Sequence, residues 1–129
     1  MSVNSNFAIA QQTTKPSKAI NLTIWGVQIL AAFAFLAAGA SKLAGAPDMV
    51  SMFEKIGYGQ WFRYLTGSLE ITGAVLLLVP RTAAIGGGLL AAVMIGAVGT
   101  HLFLIGGSPI PAAVLFVLAA TVAWNRWRR

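Results

Sequence analysis

The sequence predicts an all-α, polytopic membrane protein: a four-transmembrane-helix bundle with a short amphipathic helix between spans 1 and 2. Three observations predict it. Of the 129 residues, 57% are hydrophobic and only 9% are charged, against roughly a quarter charged in a soluble domain. The apolar residues fall into runs long enough to cross a bilayer, which takes about 20 residues of helix. The basic residues gather at the ends of those runs. With a net charge of +6, that is the pattern of membrane topology determinants, not of a patch that tracks nucleic acid.

Residues 1–19, polar and carrying Pro16 and two lysines, read as a cytoplasmic tail before a membrane domain at 20–129. The first span is Ile20 to Ala40. Lys15 and Lys18 followed by Ala38-Gly39-Ala40 give it some likeness to a signal peptide, but a signal h-region is typically about 7–15 residues and this run is longer. A short helix follows from Pro47, a residue suited to a first helical position. Met49, Met52, Phe53 and Ile56 form one apolar stripe at i, i+3, i+4 and i+7. Gly57 and Gly59 end it. Its stripe suits a helix lying on the membrane or capping the bundle.

The second span runs from about Trp61 to Val79 and stops at Pro80-Arg81. The third runs from about Thr82 to Ile105 and ends in the turn "GGSP". The fourth runs from about Ile110 to Trp124, with Pro111 in its first turn. Trp124, Trp127, Arg126, Arg128 and Arg129 make an interfacial anchor. Four spans put both termini on one side. That side carries six basic residues (Lys15, Lys18, Arg81, Arg126, Arg128 and Arg129) and the other three (Lys42, Lys55 and Arg63). The imbalance predicts a multi-pass protein of the cell inner membrane with both termini cytoplasmic.

The absence of cysteine excludes disulfides, thiol catalysis and thiolate metal sites. One histidine and three acids argue against a metal site within a single chain. The informative polar residue is Glu70, inside "TGSLEITGAVLLLVPR". It lies nine residues after Trp61, about 13 Å into the layer. A charge at mid-membrane costs about 2.5–3.5 kcal/mol on insertion scales, so Glu70 must be paired, protonated or wetted. Lys42, Arg63 and His101 fall in the same half of the bundle. Lys42 has a stem long enough to reach toward Glu70. These four are the candidate ligand-binding residues, and no catalytic set stands out. Gly67 and Gly73 flank Glu70 at a spacing of three, and Gly96 and Gly99 lie in the third span; all four are expected at close helix contacts.

Three segments then resemble a known family. "AAGASKLAGAP" is similar to the first signature of the DoxX-like proteins. "FEKIGYGQWFRYLTGSLEITGAVLLLVPRTAAIGGGLL" is similar to their second block, with Gly67, Glu70 and Gly73 on its Gly-x-x-Glu-x-x-Gly core. "VMIGAVGTHLFLIGGSPIPAAVLF" resembles the third, with His101 at the histidine position. The resemblance implies a small four-helix bacterial inner-membrane protein, with relatives associated with quinone-linked oxidation, oxidoreductase assemblies or receptor assembly. It puts a quinone among the candidate ligands; the chain itself carries no recognisable flavin or haem motif, so no intrinsic cofactor is expected.

Three functions stay open on these residues. The first is a non-catalytic subunit of quinone-linked redox chemistry, binding a quinone or lipid head group at the Glu/His/Lys cluster. The second is a structural or assembly protein in which those groups only lock helices to one another or to a protein partner. The third is a proton-coupled small-solute transporter, which with four spans needs a homo-oligomer.

Overall fold

A computed structural model describes residues 17–128. The tail expected over residues 1–19 therefore lies, for residues 1–16, outside the described residues. Five α-helices follow in order: α1 (Lys18–Ala44), α2 (Pro47–Ile56), α3 (Trp61–Leu78), α4 (Ala83–Thr100) and α5 (Ile110–Trp127). A π-helical turn, His101–Ile105, continues α4. No strand occurs among the described residues.

The four long helices close into a ring, in which α1 packs on α3, α3 on α4, α4 on α5 and α5 back on α1. The short α2 sits at one end, against α3 and the π turn. Three helical stretches are long and apolar enough to cross a membrane: Lys18–Ala44, Ala83–Ile105 and Ile110–Trp127. The remaining long helix, α3, matches α5 in length at 18 residues. Its polar content, led by Arg63 and Glu70, keeps it out of that class on composition.

The buried face of α1 is Ile24, Gln28, Ala31, Phe35 and Gly39, spaced by threes and fours. Lys42 continues that stripe. On α3 the same spacing gives Arg63, Gly67, Glu70, Ala74 and Leu77. Three polar groups, Lys42, Arg63 and Glu70, thus lie on these faces near the end where α2 sits. Phe35, Leu77, Leu90 and Val122 fill the centre and are fully buried. Large apolar side chains such as Leu22, Phe33, Ile85, Ile95 and Phe103 point outward, which suits a lipid solvent and not water.

Small residues bring the backbones close. A Cβ on Gly39 would stand 2.9 Å from the carbonyl oxygen of Gly67, and one on Gly86 2.8 Å from that of Gly73. A Cβ on Gly67 would meet Lys42 Cβ at 3.0 Å. One on Gly73 would meet Leu90 Cγ at 2.5 Å. The third-span glycines behave differently. Gly96 and Gly99, expected at a helix contact, face open space: a Cβ on either would meet nothing within 4 Å. The contacts of α4 are made instead by Gly86 and Gly87, one of them to α3 and the other to α5.

Candidate functional site

The site is built at the α2 end of the bundle. Close packing of Gly39 on Gly67 draws α1 and α3 together one helical turn from Glu70. There Lys42 Nζ lies 2.8 Å from Glu70 Oε1, and this is the ion pair found among the described residues. The glutamate side chain is 1% exposed and the lysine 14%. Oε1 makes no directed hydrogen bond besides this charge contact. The carboxylate is therefore held by one cation, which keeps a path toward the surface.

Both residues open into a cavity of about 360 Å³. His101 lines it from the π turn, and Thr66 and Thr100 add hydroxyls. The rest of the wall is mostly apolar: Met49, Met52, Phe53 and Ile56 from α2, Phe62 and Leu69 from α3, Val93 and Met94 from α4, and Leu115 from α5. The apolar stripe of α2 thus lines the cavity at that end. Edge-to-face contacts fix it there, with the Phe53 and Phe62 ring centres 5.8 Å apart and those of Tyr58 and Phe62 5.9 Å apart. Gln60 adds a hydrogen bond from its amide nitrogen to the Val50 carbonyl, 3.1 Å.

His101 is half-buried at the point where the α-helical ladder gives way to a π turn, a deviation frequent at functional sites. Its Nδ1–H donates to the Gly106 carbonyl at 2.9 Å. Because a carbonyl only accepts, this bond places a hydrogen on Nδ1 and leaves Nε2 outside it. The carbonyl can fold back because Gly106 and Gly107 take φ of +71° and +75°, a region that side chains disfavour.

Of the four residues singled out in the sequence, Lys42, Glu70 and His101 line one cavity, and Arg63 does not. Arg63 turns to the end of α1. Its Nη1 donates to the Lys42 carbonyl, its Nε donates to Gln60 Oε1 at 2.7 Å, and its guanidinium lies over the Tyr64 ring at 4.4 Å. The Lys42 carbonyl also accepts from the N–H of the cap residue Gly45 at 3.3 Å, so Arg63 adds a second donor at the end of α1. Gly96 lines the cavity, where its missing side chain leaves room.

Sequence reasoning passed over a second polar cluster at the far end of the bundle. Gln28 is fully buried. Its amide nitrogen donates to the Leu77 carbonyl, and its Oε1 accepts from Arg126 Nε at 2.9 Å. Arg126 also donates to Asn21 Oδ1 at 3.2 Å. A glutamine on an apolar stripe was the available signal.

With three ionisable groups meeting a largely apolar cavity inside an apolar bundle, comparison with known proteins becomes informative. The model of the DoxX-like family matches residues 26–124. The chain belongs to the DoxX-like family. The membrane-span helices and this membership make it a membrane protein. It is also similar to the Bacillus subtilis (strain 168) "Uncharacterized protein YdgD", with 40% identity over 72 residues. That match covers 53% of this chain and 63% of the relative, so the chain spans less than two thirds of the relative's length. No solved structure matches significantly.

Proposed function

We propose that this DoxX-like protein binds the polar head of an amphipathic membrane molecule, a quinone or a lipid, in the cavity lined by α1 to α5. One observation carries the reading: Lys42, Glu70 and His101 all reach a single cavity of about 360 Å³ whose other walls are mostly apolar. Such a pocket, apolar with a few convergent polar groups, is the common form of a small-molecule site. Glu70 and Lys42 supply an acceptor and a donor for a carbonyl or hydroxyl head group, and His101 adds a third polar contact. The chain acts as a non-catalytic subunit of quinone-linked redox chemistry, and a partner brings the redox cofactor. In this reading α3 is the fourth span, shielded by α1 and α4, with both termini on the cytoplasmic side of the inner membrane.

The position of the ion pair at the Gly39–Gly67 crossing favours a second reading, in which the pair mainly ties α1 to α3. One experiment separates them. The wild type and Glu70→Gln are purified in mild detergent, co-purifying small molecules are identified by mass spectrometry, and melting is followed in parallel. A quinone or lipid retained by the wild type and lost from an equally stable variant supports binding. Equal retention in the variant, or no specific ligand together with a lower melting temperature, overturns it in favour of the structural role.

A further inference from the structure

The cavity that holds Lys42 and Glu70 is not closed on every side. Its wall is made of buried and half-buried residues with two exceptions, Ala92 and Gly96 of α4, which line it and are exposed. The seam between α3 and α4 explains them. These helices press together at one level, where a Cβ on Gly73 would meet Leu90 Cγ at 2.5 Å. Val93 and Ala97 carry the row begun by Leu90 into the cavity wall. Ala92 and Gly96 flank that row on its outer side. There α3 stands off: a Cβ on Gly96 would meet nothing within 4 Å, although Thr66 and Leu69 of α3 line the same cavity. A cleft between α3 and α4 thus joins the cavity to the outside.

The cleft lies at the depth of hydrocarbon. Gly96 and Ala92 are about 13 and 20 Å from the Ile105 end of a stretch long and apolar enough to cross a membrane. A bilayer core is about 30 Å thick, so both residues lie among acyl chains. The hydroxyls nearby are turned to their own helices. Thr66 Oγ1 donates to the Phe62 carbonyl and Thr100 Oγ1 to the Gly96 carbonyl, each at 2.8 Å. The cleft therefore presents mainly carbon.

We propose that this cleft is a lateral entrance from the bilayer, and that the bound ligand keeps a hydrocarbon chain in it, over Ala92 and Gly96, with its head at Lys42 and Glu70. The inference rests on the head-group reading above and adds the route, the need for a chain and the residue that sets the opening. A chain laid in the cleft makes dispersion contacts with both helices. A head group without a chain leaves the cleft unused. Gly96 sets the width, because any larger side chain there stands where the chain lies.

Gly96→Trp tests this, since its indole enters open space. Ile95→Trp is the control: Ile95 is 61% exposed and lies off the cavity wall, so it corrects for probe taken up by the micelle. Full-length proteins in mild detergent are offered two pairs of probes. One pair is decylubiquinone and its counterpart with hydrogen in place of the decyl group. The other is lysophosphatidylethanolamine and glycerophosphoethanolamine. Bound probe is quantified by mass spectrometry after gel filtration, and the pair that binds tells a quinone from a lipid. We expect the wild type and Ile95→Trp to hold the chain-bearing member equally. We expect Gly96→Trp to hold it roughly tenfold more weakly, the scale of one overpacked side chain. Equal binding by Gly96→Trp and Ile95→Trp, or a chainless member bound as tightly as its chain-bearing partner, overturns the entrance. Loss of the same probe from Glu70→Gln would then leave the head-group reading standing. No probe bound by the wild type overturns both. Ala92→Trp, on the same rim, serves if Gly96→Trp does not fold.

Discussion

Removing Lys42 should harm this protein more than removing Glu70, although the two form one pair. At 2.8 Å, unit charges attract by about 6 kcal/mol at an effective dielectric of about 20, before desolvation is subtracted. The net effect of losing a partner depends on the charge left behind. In Lys42→Met that charge is Glu70, whose side chain is 1% exposed. Stranding a buried charge costs about 3–5 kcal/mol. In Glu70→Gln the remaining charge is Lys42, at 14% exposure and near the end of α1. Its stem can carry the ammonium outward, leaving about 1–2 kcal/mol, the scale of one lost buried polar contact. The double variant should cost no more than Glu70→Gln alone, because no charge is stranded. Unfolding in mixed micelles titrated with dodecyl sulfate and followed by circular dichroism gives all three values. A larger penalty for Glu70→Gln than for Lys42→Met, or strictly additive single effects, would refute this asymmetry.

Two further expectations follow from packing and topology. Gly86→Ala should destabilise by about 1–3 kcal/mol, the usual cost of overpacking, because its Cβ would meet the Gly73 carbonyl and Leu77 nitrogen at 2.8 Å; Gly96→Ala, with nothing within 4 Å, should gain about 0.5–1 kcal/mol from helix propensity, and equal effects in the same micellar unfolding assay would contradict the packing. For topology, single cysteines at Lys55 and Arg81 should label with an impermeant maleimide from opposite sides of sealed vesicles; labelling from one side would mean that α3 does not cross.

The places of the apolar helices were legible because apolar runs and their Pro, Gly and basic terminators are local signals, although α1 runs on to Ala44 and the last helix to Trp127, past the ends of their apolar runs at Ala40 and Trp124. Depth was legible too: counting residues from each helix end places Lys42, Glu70 and His101 in one half. Rotation was not. Arg63 shares the three-four spacing of Gly67 and Glu70, yet at the first turn of α3 its guanidinium meets the end of α1 before it can reach the cavity. Gly96 and Gly99 read as packing residues because α4 is rich in small residues on every side, so composition does not mark the face in contact. The π turn reads as ordinary helix in "HLFLI", because its altered backbone hydrogen-bond register leaves no mark in the residue pattern. The hydrogen bond between Gln28 and Arg126 spans 98 residues of sequence, a separation at which no local pattern helps.

The two polar clusters bear on why Glu70 is there. At the far end, Gln28 is bonded to the Leu77 carbonyl and to Arg126, and Gln28 lines neither cavity. That is how polar groups look when their role is to hold helices: each is used up on another helix. Glu70 is equally buried but has one cation and an adjoining space large enough for a head group. A bundle that needed only a lock at this end would gain by filling that space, since each void forfeits contacts among its lining atoms. The α2 stripe instead roofs it with three flexible or aromatic side chains, Met49, Met52 and Phe53. Methionine adapts to irregular occupants. The cavity, more than the ion pair itself, therefore weighs toward binding.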